Sequence, residues 1–113
     1  MAADLSAVSP SKTAGIATKR VTMDSTPGEV VAVTLPSWAT AVSITWRTSA
    51  GADAVGWYTG ASTDGAAKGD DAAPVAAGDT LTLDLIHSEA GQQPVLYLAS
   101  DAASGYAYLT LTR

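Results

Sequence analysis

The chain has 113 residues, a formal net charge of −5 and no cysteine. At this length one domain buries roughly 65% of its unfolded surface, enough for a single core and too little for a deep enclosed cavity. The missing cysteines exclude a disulfide framework and a thiolate zinc site. Six Lys and Arg scattered along an acidic chain offer no basic stripe to nucleic acid. No apolar run nears the roughly 20 residues that cross a bilayer, and the N-terminus has no signal-peptide apolar region, so synthesis in a cytoplasm is expected.

Residues 1–17 hold only isolated apolar points, Leu5, Val8 and Ile16, broken by Pro10 and Gly15. Neither a helical nor a strand period is sustained, which predicts an extended N-terminal arm. Ordering such a backbone costs about 1–2 kcal/mol per residue, so a neighbouring chain is the expected support. The domain proper is expected over 18–113, starting with a strand over 18–23 and a dense turn signal at Asp24-Ser25-Thr26-Pro27-Gly28. A strand over 29–35 puts Val31, Val33 and Leu35 on one face, and Trp38 follows the Pro36-Ser37 break to plug the end of the core.

In 41–48, Val42, Ile44 and Trp46 alternate with Ser43, Thr45 and Arg47, the pattern of a half-buried strand. A shorter strand over 54–58 contains Gly56, the mark of a bulge or an edge. Residues 60–78 are Gly-, Ala- and Asp-rich with only Val75 of any apolar size, and read as a surface loop or an excursion between sheets. The strongest alternation follows in 80–86, where Leu81, Leu83 and Leu85 face one way. After strands over 94–99 and 106–112, the last strand turns Ala107, Leu109 and Leu111 inward and Tyr106 and Tyr108 outward. This series, with almost no helical signal, predicts an all-β fold: a single small antiparallel β-sandwich, jelly-roll-like.

The reactive groups point to no enzyme. His87 is the sole histidine and stands at a strand end, and no Gly-x-Ser-x-Gly elbow is present. Asp64, Asp70 and Asp71 lie in the long loop as solvated charge, Asp79 opens a strand, and Asp84 reads as a surface charge that resists edge pairing. The oxygen-rich stretches Ser62-Thr63-Asp64-Gly65 and Gly69-Asp70-Asp71 match no calcium-loop spacing. Catalytic, cofactor and metal residues are therefore expected to be absent. Trp57 and Tyr58 form a candidate sugar-stacking pair, although alternation turns only one of two neighbours outward. Tyr106 and Tyr108 share an outward face and supply large amphipathic area at low entropic cost, which suits a protein contact.

The opener Ala17-Thr18-Lys19-Arg20-Val21-Thr22, then Val33-Thr34-Leu35-Pro36 with Ala41-Val42-Ser43-Ile44, resembles small virion proteins of tailed bacteriophages. The run from Ala77 to Leu85 and the closing Leu96-Tyr97-Leu98-Ala99-Ser100 carry the same likeness, which spans roughly 17–113. The resemblance implies a capsid decoration (cement) protein, a homotrimer on the outer surface of a phage head, with the major capsid protein as partner and no catalytic residues. Leu5, Val8, Pro10 and Ile16 of the arm, with Tyr106 and Tyr108, would be its capsid or subunit contacts. The alternatives are a virion-displayed carbohydrate-binding module using Trp57 and Tyr58, or another neck, head–tail or fibre component. No membrane or nucleic-acid partner is expected.

Overall fold

The computed structural model describes residues 2–12, 15–60, 63–85 and 93–113. His87 and the turn expected at Glu89-Ala90-Gly91 lie outside the described residues, as do Ile86 and Ser62. Among the described residues the fold is all β, with nine strands in two sheets and no helix. They are β1 (Ala2–Asp4), β2 (Ile16–Thr22), β3 (Val31–Thr34), β4 (Ala41–Arg47), β5 (Gly56–Thr59), β6 (Ala73–Val75), β7 (Leu81–Asp84), β8 (Val95–Ser100) and β9 (Tyr106–Thr112).

One sheet runs β1-β3-β8-β5-β6 and the other β2-β9-β4-β7. All pairings are antiparallel except β1 with β3. The pairings nest: β5 with β6, β4 with β7, β3 with β8 and β2 with β9. The chain from β2 onward is thus one long hairpin folded over on itself, closed by the further contacts β8 to β5 and β9 to β4. Both sheets send their inward residues into one core. Val31, Val33, Leu96 and Leu98 come from one side, and Val21, Val42, Ile44, Trp46, Ala107, Leu109 and Leu111 from the other. Period-2 alternation delivers these side chains to one face of each strand.

Turn chemistry sets the strand spacing. Glu29 N donates to Thr26 O at 3.2 Å across Pro27-Gly28, with Gly28 at φ 81°, the geometry of a type II turn. At the β8–β9 connection the left-handed position is instead Ser104, at φ 52°, the only such non-glycine among the described residues. That conformation costs an L-residue roughly 1–2 kcal/mol. Ser104→Gly is therefore expected to leave the fold intact and to hold or raise stability by up to about 1 kcal/mol, after glycine's own entropy cost of roughly 0.5–1 kcal/mol. A urea melt that shows Ser104→Gly clearly less stable would contradict this.

Two expectations are corrected. The segment read as an arm lies on its own domain: Ala2–Asp4 pairs with Ala32–Thr34, Leu5 is buried in the core, and Val8 O accepts a 2.7 Å bond from Trp38 Nε1. Ile16 and Ala17 already belong to β2, opposite Thr112 and Leu111. The exposed edge of β3 and the apolar hole beside it supply the support that a neighbouring chain was expected to give. Within 60–78 lies an additional strand, β6, whose Pro74 is tolerated because β6 is an edge with β5 on one side only. The alternation read in 80–86 is present, with Leu81, Leu83 and Leu85 half-buried on the edge strand β7.

Candidate interaction surface

The two sheets differ in how their outer faces are finished. Beside the start of β3 the long loop folds back onto the β1-β3-β8-β5-β6 sheet, whose outer face still exposes Val95. Val30 N donates to Ala66 O at 2.8 Å, Gly65 N to Val30 O at 2.9 Å and Lys68 N to Gly28 O at 3.0 Å. Asp64 Oδ1 accepts from the Ala32 amide at 3.2 Å. Thr59 and Ala99, which point outward from their strands, are buried. The stretch read as a surface excursion is thus tied to the residues before β3.

The outer face of β2-β9-β4-β7 is open. The register lines up four rows across it: Ile16, Thr112, Ala41 and Asp84; Thr18, Thr110, Ser43 and Thr82; Arg20, Tyr108 and Thr45; Thr22, Tyr106 and Arg47. Most of this face is hydroxyl, with Thr45 Oγ1 3.2 Å from Thr80 Oγ1 and Ser43 Oγ 3.4 Å from Thr82 Oγ1. Threonine suits an exposed pleated surface, so these rows are explained by strand formation alone.

One end of the face is different. The Arg20 guanidinium lies 4.2 Å from the Tyr106 ring centroid, and Tyr106 meets Tyr108 edge-on at 6.3 Å and 70°. Arg20 is directly opposite Tyr108 and reaches Tyr106 on the diagonal, as cross-strand neighbours do. A cation over an exposed ring contributes about 0.5–1 kcal/mol, which biases the guanidinium toward the Tyr106 ring. Beyond Tyr106, Arg47 Nη1 is 2.8 Å from Asp53 Oδ1, a half-exposed pair of little energetic weight. Tyr108 and Ile16 remain 39% exposed, among the largest exposed apolar groups described.

The residues singled out from sequence therefore separate. Tyr106, Tyr108 and Ile16 lie on the open face of one sheet. Leu5 is buried, Val8 packs against the core and Pro10 is half-buried, so Leu5 and Val8 are held by their own domain. Trp57 points outward with the Lys68 ammonium 4.6 Å from its ring, whereas Tyr58 points inward against the core. These two aromatics do not form one platform. Arg20 was missed as a member of the tyrosine group. Its phase with Thr18 and Thr22 was legible, but its position beside Tyr106 depends on the pairing of β2 with β9.

Topology also brings Arg113 to a stretch already rich in cations. Lys19 and Arg20 lie on β2, Lys12 stands in the turn that Ser11 closes onto Gly15 and Ile16, and Arg113 N bonds Gly15 O at 3.0 Å. Four of the six cations thus cluster along β2 in an acidic protein. Asp4, across from β2, is held below the ordinary aspartate range by hydrogen bonds from the Ser6 side chain and amide. Among the described residues no three acidic or histidine side chains converge as a metal site.

No family model, no curated protein and no solved structure matches this chain.

Proposed function

We propose that this chain is a structural protein of a tailed-phage virion, a decoration protein that seats on the outer surface of the head and stabilises it, and that it transforms no substrate. The observation that carries the reading is the open face of β2-β9-β4-β7, with Arg20, Tyr106 and Tyr108 in contact at one end. Tyrosine and arginine are the residues that anchor protein interfaces, and here they are presented on strands rather than on a loop. The strand order supports a jelly roll: nested pairings over eight strands, β2-β9-β4-β7 facing β3-β8-β5-β6, with β1 added at one edge. That architecture is shared by viral capsid domains and lectins.

A decoration protein of this size works by repetition. In a trimer each modest contact becomes effectively intramolecular once its neighbour is engaged, so occupancy can be high without a large single interface. The contact set in this reading is Ile16, Arg20, Tyr106 and Tyr108, since Leu5 is committed to the core. A lectin role for Trp57 has less support, because Lys68 already occupies the ring face a sugar would use.

The test compares heat and osmotic survival of heads with and without the protein, and occupancy of heads by Tyr106→Ala/Tyr108→Ala. The doubly substituted protein should fold normally and lose at least about 10-fold in affinity for heads, the scale expected of two anchor residues. Equal head survival with and without the protein, or full occupancy by the double variant, would count against the assignment.

A further inference from the structure

We propose that the free edge of β2 is a docking site for an extended, acidic segment of a partner protein, which adds to the sheet as a strand beside Thr18, Arg20 and Thr22. Four edges are available among the described residues. β1 has three residues, β6 has three including Pro74, and β7 has four. β2 has seven residues and no proline, which makes it the long pairing template of the molecule.

The backbone register shows which groups are on offer. Arg113 N donates to Gly15 O and Met23 N to Gly105 O, continuing the ladder in which Ile16 faces Thr112 and Thr22 faces Tyr106. In an antiparallel pair the residues alternate, so the odd-numbered positions of β2 exchange bonds with β9 and the even ones turn outward. The outward carbonyl of Ile16 is taken by Ser11 N at 2.9 Å. Among the described residues, the outward N–H and C=O groups of Thr18, Arg20 and Thr22 have no strand beside them. A groove of about 570 Å³ lies against this edge, bounded by Val8 and Ser9 on one side and by Ile16, Thr18 and Lys19 on the other.

Charge identifies the occupant. Lys19 and Arg20 sit in the middle of the edge, with Lys12 and Arg113 near its start. A second copy pairing antiparallel through this edge would bring these cations against their own equivalents, an arrangement that costs several kcal/mol. The same residues favour carboxylates on an incoming strand. Asp4 lines the same groove as Thr18 and Lys19, so the partner's acidic residues belong toward Arg20, which lies outside that lining. Backbone bonds would then supply affinity and the cations would supply register and selectivity.

The inference rests on the assembly reading only for the source of the strand, and the edge can be tested on the full chain alone. The probes are capped peptides of about ten residues, the length that spans such an edge. One alternates Asp with Thr and Val, and the other carries Lys in place of Asp. The acidic peptide should slow amide exchange at Thr18, Arg20 and Thr22, and the Lys peptide should not. The double variant Lys19→Glu/Arg20→Glu should weaken binding by at least about 10-fold. Thr18→Pro removes an outward N–H while sparing every bond to β9, and should also weaken binding. If that proline variant fails to fold, the charge variant and the wild-type exchange pattern decide.

Equal binding of both peptides, or binding without protection of those three amides, overturns the proposal. So does protection that rises with protein concentration alone, which would make a second copy the occupant. Heads of unchanged stability together with intact peptide binding would count against the virion role and leave the edge assignment standing.

Discussion

Gly56→Ala is expected to lower stability by about 3 kcal/mol or more, because an added Cβ meets a closer neighbour here than at any other glycine among the described residues. Gly56 lies on β5 opposite Ser100 and faces inward, where the Trp46 indole rests directly on its backbone. A Cβ at this position would overlap Cγ, Cδ2 and Cε2 of the ring. Trp46 is 1% exposed, the largest of the fully buried side chains, and cannot swing toward solvent. Its ring is a rigid plane clamped from the other sheet, so the backbone of β5 would have to move and break pairing with β6, β8 or both. A double-mutant cycle gives the specific check. Trp46→Leu alone should be costly, as large core truncations are, yet it should cost at least about 1 kcal/mol less in the Gly56→Ala background because the clash is gone. Additive losses in urea unfolding would refute the ring-on-backbone account. The same indole leaves Nε1 buried without a hydrogen-bond partner among the described residues, a cost that the shape of the contact must outweigh.

Leu5→Ala should destabilise the protein by about 2–3 kcal/mol, within the range for a buried leucine, and deletion of residues 2–8 should cost more. Leu5 is 9% exposed and belongs to the central cluster. Its amide donates to Thr34 O at 2.8 Å, extending the parallel pairing of β1 with β3 by one residue. The deletion would also remove the acceptor for Trp38 Nε1 and expose the edge of β3. An extended arm held by a neighbouring chain predicts the opposite: an isolated domain whose melting is indifferent to either change. Thermal and urea melts of wild type, Leu5→Ala and the deletion separate the two. This matters for any assembly experiment, because loss of head binding on deletion of residues 2–8 would report unfolding of the β3 edge as readily as loss of a contact. Substitution of Tyr106 and Tyr108 avoids that confusion, since both lie on the open face.

How far the chain could be read before its structure varies with the origin of each signal. Strand β9 was legible from end to end, because Ala107, Leu109 and Leu111 alternate with polar and aromatic residues over its whole length and all three are buried. Trp46 was correctly phased with Val42 and Ile44 for the same reason. The three-residue β1 has no such signature; Ala2-Ala3-Asp4 is strand only because β3 offers it an edge and the core offers Leu5 a hole. The 60–78 stretch offered only Val75 of any apolar size, and its strand β6 carries Pro74, which an edge tolerates because β6 has β5 on one side only.

The amino-acid order alone settled which residues turn inward, since alternation is a property of neighbours along one strand. The three-dimensional arrangement decided everything that depends on which strand lies beside which. Leucines 81, 83 and 85 show the strongest alternation yet end half-buried on β7, which has a neighbour on one side. Arg20 stands over Tyr106, and Arg113 joins Lys12, Lys19 and Arg20 along one edge, because β2 pairs with β9 from the far end of the chain. Such pairings join residues some ninety positions apart, and no local pattern carries information about them.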